Sequence, residues 1–257
     1  MRTVAVVNQK GGVGKTATTL GFASAMRHRG GKVLVIDMDP QANATTGLGV
    51  EVTSETLTAG DAMASGEVGV AMDAVRSTSW GSGVDCVPSD VHLAEREYET
   101  GGAGHEFRLS RSLEGIDGYD LALIDCPPSV GELVTNALVA ADSALIVTEA
   151  DVDSLMGVAN VMDTIQAVKR YYNPRLGTAG IVLNNLDLRA GEQRYRLGEL
   201  QEAYGVLVWE PYVPHRARIA DAKGAQAAIH EYGYRAKDLT AIFDALVARL
   251  LAVQAAA

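Results

Sequence analysis

Cysteine is nearly absent. Cys86 and Cys126 are the two in 257 residues, far apart and in no metal-binding spacing, and the five histidines do not cluster. That excludes a disulfide scaffold and a cysteine–histidine zinc site, and it fits a reducing cytoplasm. No apolar run is long enough to span a bilayer. No charged-then-apolar leader precedes the first strand-like run, so no secretory signal is read. Excess positive charge is missing too: 22 Lys and Arg face 32 Asp and Glu, for a formal net charge of −10. Constitutive, purely electrostatic nucleic-acid binding is therefore not expected, although a local basic face assembled on dimerisation is compatible with it. Composition shows no seam. Hydrophobic residues make up 47% of the chain, ample for a large core. The length allows one large α/β domain or two small ones, and the expectation is a single domain over 1–257.

What is present is alternation. Strand-like runs fall at Thr3–Asn8, Lys32–Asp37, Val84–Pro88, Leu121–Asp125, Ser143–Thr148, Thr178–Leu183 and Val206–Val208, with helical patterns between them. The first helix is expected over Ala17–Arg29. This order predicts an α/β fold with a doubly wound, mostly parallel sheet and helices on both faces. Gly81–Gly83 and Gly101–Gly104 read as loops. Val50–Thr78 is weakly patterned and is expected to hold short helices. Near the C-terminus, Leu239, Ile242, Phe243, Leu246, Val247, Leu250 and Leu251 recur at helical spacing, which predicts one apolar face docked on the domain. A membrane-surface helix would want Lys and Arg opposite that face, and Arg249 is nearly alone there.

The chemistry begins at Lys10-Gly-Gly-Val-Gly-Lys15-Thr16. An apolar strand precedes this glycine loop and a helix follows it, the setting that gives a phosphate-binding loop its meaning. Backbone N–H groups of Gly11, Gly12, Val13, Gly14 and Lys15 would wrap a β-phosphate at the positive end of the helix. Lys15 would reach the β- and γ-phosphates, and the Thr16 hydroxyl would hold Mg²⁺. Gln9 stands where the standard loop has its first glycine. Asp37 and Asp39 end the second strand, and alternation puts both side chains on one side. Asp125 ends the fourth run, where a carboxylate would hold Mg²⁺ through water.

The run Asn8-Gln9-Lys10-Gly11-Gly12-Val13-Gly14-Lys15-Thr16 resembles the deviant Walker A motif of the ParA/MinD ATPases, most closely the ParA/Soj branch. Asp37-Met-Asp39-Pro40-Gln41-Ala-Asn43 resembles that family's switch I, and Asp125-Cys-Pro127-Pro128 its Walker B strand end. The resemblance runs from about residue 1 to about residue 250. It implies an ATP-binding, Mg²⁺-dependent hydrolase of the deviant Walker A type, slow alone and stimulated by a ParB-like partner with a short basic segment. It makes Lys10 a cation delivered across an ATP-sandwich homodimer to the other subunit's phosphates, and Asp39 the residue that orients the attacking water. Asp37 becomes a supporting carboxylate near Mg²⁺. Asp151 stands where many relatives carry a Glu that touches the partner's nucleotide. Asn184 or Asn185 and Pro214 are candidates for the adenine pocket. Ala17 replaces a common Thr or Ser whose hydroxyl would bond the α-phosphate, so weaker nucleotide retention is expected.

The segment Pro214-His215-Arg216-Ala217-Arg218-Ile219-Ala220-Asp221-Ala222 resembles the family's Pro-Arg-Asn-x-Arg-Leu-Ser-Glu-Ala. In the ParA/Soj branch its second arginine, matched by Arg218, is implicated in non-specific DNA contact. His215 replaces the first arginine, with Arg216 beside it. Arg216, Arg218 and Lys223 are the DNA candidates, and Arg189, Arg194, Arg196, Arg235 and Lys237 add cations to the C-terminal third. No N-terminal helix-turn-helix precedes the loop, so operator binding is not expected. The implied role is segregation or positioning of a plasmid, chromosome or other cargo on the nucleoid, with a membrane-associated MinD-like ATPase as the alternative. Cys126 beside Asp125 raises the related iron proteins that hold a cluster between subunits, but two suitably placed cysteines per subunit are needed. Both cysteines are read as packing residues.

Overall fold

The computed structural model describes residues 1–98, 102, 104–215 and 217–256, and for 217–220, 234, 235 and 254–256 it describes the backbone. Among the described residues one eight-stranded sheet organises the chain. Its strands are β1 Arg2–Val7, β2 Val33–Asp37, β3 Arg76–Ser77, β4 Val84–Val87, β5 Leu121–Asp125, β6 Ser143–Thr148, β7 Gly177–Leu183 and β8 Val208–Trp209. Their spatial order is β3-β4-β2-β5-β1-β6-β7-β8, and every pairing except β3–β4 is parallel. The chain enters at β1 near the centre, builds outward through β2, and later returns to build the other side. That reversal opens a crevice at the carboxyl ends of β1, β2 and β5.

The strands are apolar along their length because both of their faces are covered. Val4 and Val6 of β1, Val33 and Val35 of β2, and Leu121 and Leu123 of β5 point to one layer. Ala5, Val7, Leu34, Ile36, Ala122 and Ile124 point to the other. The first layer is capped by α1 Lys15–His28, α2 Asn43–Gly47, α10 Ala217–Gly224 and α11 Lys237–Ala256. The second carries α3 Ala59–Ser65, α4 Ala71–Ala74, α5 Leu93–Arg96, α6 Arg108–Ser112, α7 Glu132–Ala140, α8 Ser154–Tyr171 and α9 Gly191–Tyr204.

The C-terminal helix docks as its periodicity predicts. Leu239, Phe243, Leu246, Val247 and Leu250 are buried, with Ile242 and Leu251 packed beside them. Phe243 lies so close to α1 that a Cβ on Gly21 would come within 2.3 Å of its ring. No described helix is long and apolar enough to cross a membrane. The strand at Val206–Val208 begins later than its apolar run: residues Gly205–Leu207 form a 3₁₀ turn and β8 is Val208–Trp209. The region expected to hold short helices contains α3 and α4, but also the edge strand β3, whose two residues carry no alternation to reveal it. Of the Gly101–Gly104 loop, Gly101 and Ala103 lie outside the described residues.

Candidate nucleotide site

Asn8 turns the chain out of β1. Its amide donates to the Val147 carbonyl of β6 at 2.6 Å, and its Oδ1 accepts the Lys10 N–H at 2.9 Å. The loop that follows needs its glycines. Gly12 and Gly14 have φ of 82° and 92°, where a Cβ is strained. At Gly14 an added Cβ would also sit 1.8 Å from Asn184 Nδ2. That amide donates to the Val13 carbonyl at 2.9 Å, so Asn184 at the end of β7 buttresses the loop from beneath. Helix α1 starts at Gly14 with no side-chain cap. Its first N–H groups are left for an anion, whose charge the helix dipole favours.

A cavity of about 480 Å³ opens over this loop. Gly11, Gly12, Gly14, Lys15, Thr16, Ala17, Asp39, Asn184 and Asn185 line it, joined by Gln41, Asn43 and His215, to which the sequence assigned no nucleotide contact. Val13 is buried below the wall and contributes its main chain. Pro214 does not line the cavity; its neighbour His215 does. Lys15 is 7% exposed, and its Nζ donates to the Lys10 carbonyl at 3.2 Å. Desolvation pushes the Lys15 ammonium below its ordinary pKa, against the pull of Asp125 and Asp39. A phosphate supplies the anion such a cation lacks. Glycine cradle, uncapped helix and buried lysine therefore fit a nucleotide polyphosphate.

Under the loop lie two fully buried carboxylates, Asp37 and Asp125, paired in register across β2 and β5. Asp125 accepts from Thr16 Oγ1 at 2.7 Å and Thr19 Oγ1 at 2.9 Å. Thr19 was legible in principle, since it falls one helical turn after Thr16 on α1. Asp37 has less freedom than expected of a metal ligand. One oxygen takes both the N–H and the hydroxyl of Thr45, at 2.8 and 2.7 Å, and the other takes the Asp39 N–H at 3.1 Å. Its structural task is to anchor the Asp39–Thr45 segment to the sheet. Within that segment Ala42 adopts φ 51°, a left-handed conformation that costs an alanine about 1 kcal/mol. Burial raises the pKa of both carboxyls most; the charge of Asp37 adds to the rise at Asp125, and that of Asp39 to the rise at Asp37. A dication beside Thr16 would relieve this, so the donor set fits Mg²⁺ with Thr16 in contact and Asp125 behind it.

These shifts have a signed consequence. A carboxyl whose folded pKa exceeds its unfolded value of 3.8 binds more protons when folded, so its contribution to stability is lost as pH rises through the folded pKa. For Asp125 that window runs from 3.8 to about 7. In Mg²⁺-free buffer, the stability difference between wild type and Asp125→Asn should therefore shift in favour of the variant between pH 5 and pH 8. Thermal melts across that range check it, and a difference that does not move with pH would count against the burial argument.

Asp39 faces the cavity and is 8% exposed. Its Oδ1 accepts the Gln41 N–H at 2.9 Å, and its carbonyl accepts Ser89 Oγ at 2.8 Å. Lys10 is placed otherwise. It is outside the cavity wall, its side chain is 41% exposed, and its ammonium is paired with Asp151. The Asp151 hydrogen bond raises its pKa most, helped by the fields of Asp153 and Glu149. Lys10 and Lys15 thus differ sharply: one is sunk in its own phosphate loop, the other is held on an acidic rim.

The expected basic face is thinner than the count of cations implies. Arg189 is paired with Asp187, and Arg196 with Glu199 and Glu192. Arg194 donates to the Leu188 carbonyl. Arg216 lies outside the described residues, and Arg218 is carried on α10, of which the backbone is described at that position. Lys223, at the end of the same helix, lines the nucleotide cavity and donates to Asn43 Oδ1 at 2.7 Å. Helical phase turns its side chain towards switch I.

Comparison with known proteins gives this geometry a family. Residues 1–178 match the model of an AAA domain family. The chain is 36% identical over 226 residues to the chromosome partitioning protein ParA of Caulobacter vibrioides, covering 86% of this chain and 84% of that one. It is 32% identical to the sporulation initiation inhibitor protein Soj of Bacillus subtilis, over 94% of this chain and 95% of Soj. The chain belongs to the ParA/Soj partition ATPases. A crystal structure of cobyrinic acid a,c-diamide synthase from Mycobacterium smegmatis with bound ADP and magnesium matches at a TM-score of 0.79 and 30% identity. That match covers 96% of this chain and 94% of the synthase. As a ParA/Soj ATPase, the chain is a P-loop ATPase of the partition or positioning type, and its eight-stranded, mostly parallel sheet is the one expected from sequence.

Proposed function

We propose that this chain hydrolyses MgATP as a sandwich homodimer, binds DNA without sequence preference in that state, and uses the cycle to segregate or position a cargo. The observation that carries the reading is the contrast between its two loop lysines. Lys15 lines its own cavity; Lys10 stands outside it, with its side chain 41% exposed and held in this chain by Asp151. A cation that leaves an acidic rim for another subunit's phosphates makes turnover depend on dimerisation. It also gives a reason for slow basal hydrolysis, since Asp151 competes for Lys10. A partner protein with a short basic segment would accelerate turnover, and with it release from DNA and the nucleoid.

ATP and Mg²⁺ would be held by the Gly11–Ala17 loop, with Thr16 and Asp125 serving the metal and Asn184 the loop's shape. Burial of the α11 apolar face supports the DNA-riding reading over the membrane-riding one, because that face is already occupied. Hydrolysis itself is positioning and electrostatics: Lys15 and the helix N-terminus hold charge at the phosphates, and Asp39 orients water.

Binding to non-specific duplex DNA, measured with ATP, ADP or no nucleotide over a salt series, tests the proposal. Binding is expected with ATP alone and should fall steeply with salt. Arg218→Glu should spare ATP-dependent dimerisation, weaken DNA binding about tenfold or more, and flatten the salt slope by about one unit per lost phosphate contact. An ATP-bound dimer indifferent to DNA would sink the DNA-riding role and turn attention to lipid vesicles.

A further inference from the structure

Lys223 and Ala17 are both anomalous, and they line the same cavity. Ala17 offers a methyl group where a hydroxyl would meet the α-phosphate. Lys223 brings a cation on α10 to the wall of the same cavity. Its partner there is an amide oxygen, Asn43 Oδ1 at 2.7 Å, and not a carboxylate. The stem is fixed as well as the head. A Cβ added to Gly47 would lie 3.3 Å from Lys223 Cγ and 2.7 Å from Leu20 Cδ1, so the lysine stem is laid against α2 beside Leu20 of α1. Lys223 is half-buried, which limits the water available to it.

An ammonium held by a neutral acceptor is available to an anion. The amide oxygen leaves the ammonium's charge unneutralised, and an ionised acceptor such as a phosphate adds the attraction of opposite charges to the hydrogen bond. A nucleotide entering the cavity carries several negative charges past Thr16 and Ala17. We propose that Lys223 is a nucleotide-binding residue of this chain: its ammonium takes an α-phosphate oxygen, the contact Ala17 cannot make, and Asn43 holds it ready in the nucleotide-free state. The inference rests on the reading of the cavity as a nucleotide site. It adds that helix α10, which also carries Arg218, is fastened to the nucleotide at its far end. Loading of nucleotide and placement of the candidate DNA helix are then one event.

Calorimetric titration with ADP and with adenosine, in the presence of Mg²⁺, tests this on the full chain. Lys223→Met should weaken ADP binding about tenfold or more and leave adenosine affinity unchanged, since adenosine has no phosphate. Lys223→Arg should retain most of the ADP affinity. Adding Ala17→Thr to Lys223→Met should recover a larger factor than Ala17→Thr gains in the wild type, because both groups serve one phosphate. Equal ADP affinity in wild type and Lys223→Met would overturn the proposal. So would parallel loss of ADP and adenosine binding, which would make Lys223 a support for the cavity's shape. A thermal melt of nucleotide-free Lys223→Met separates either result from unfolding. If the wild type itself binds no ADP, the nucleotide-site reading fails first, and the two failures are told apart.

Discussion

Replacing Lys15 with alanine is expected to lower nucleotide affinity by about 30-fold to several thousand-fold, the range for truncating one partner of a buried, hydrogen-bonded charge pair. The nucleotide-free protein should be no less stable for it. In the folded state desolvation outweighs the nearby carboxylates and pushes the Lys15 pKa below 10.5. The unfolded chain therefore binds this proton more tightly than the folded one. That penalty on the fold is fully present below the folded pKa and fades as pH rises towards 10.5. At neutral pH its removal favours folding, against the packing lost with the side chain's stem. The two effects are separable in one experiment. Wild type at a ligand concentration of 100 Kd gains about 2.7 kcal/mol from binding. Lys15→Ala should show a normal melt without nucleotide and no rise with MgATP. Retained affinity would remove the phosphate-loop assignment; a collapsed nucleotide-free melt would show that the lysine is structural.

The parts of this protein that were legible in sequence are those whose physics is local. The β1–loop–α1 unit announces itself because an apolar run, glycines with positive φ and a Lys-Thr pair fall within a few residues. Helix α11 is equally legible, since its buried face is written at helical spacing. What could not be read depends on partners distant in sequence. Asn8 is an unremarkable strand end until Val147 arrives 139 residues later. Thr45 and Ser89 are ordinary polar residues until they are seen holding Asp37 and Asp39. The bonds that tie Asp37 to Thr45 and Asp39 were hidden in the same way, because position and charge are visible in sequence and hydrogen-bond partners are not. The contact of Lys223 with Asn43 was hidden for a related reason: a lysine count has no direction, and the phase of α10 decides what the side chain meets. The edge strand β3 escaped because two residues cannot show a period.

Asp39→Ala should produce a protein that binds ATP, dimerises and hardly turns over. The argument is one of separable contacts. Nucleotide affinity resides in the loop, Lys15 and Thr16, none of which donates a hydrogen bond to the Asp39 carboxylate. Asp39 is instead fixed from three sides: its N–H by Asp37, its carbonyl by Ser89, its carboxylate by Gln41. Such a group is pre-organised to orient a water and has little else to do at the cavity. Loss of a positioned group acting on the attacking water typically costs about 10²–10⁴ in rate. Deleting the side chain removes one negative charge from beside the phosphates, so ATP should bind at least as tightly. With hydrolysis blocked and Lys10 free to cross to a second subunit, the ATP-bound dimer should accumulate, and with it the DNA-bound state. Single-turnover hydrolysis together with light scattering measures both. Wild-type turnover would show that another group positions the water. A variant that stays monomeric with MgATP would mean that Asp39 also builds the dimer surface, and the separation of binding from chemistry argued for this site would fail.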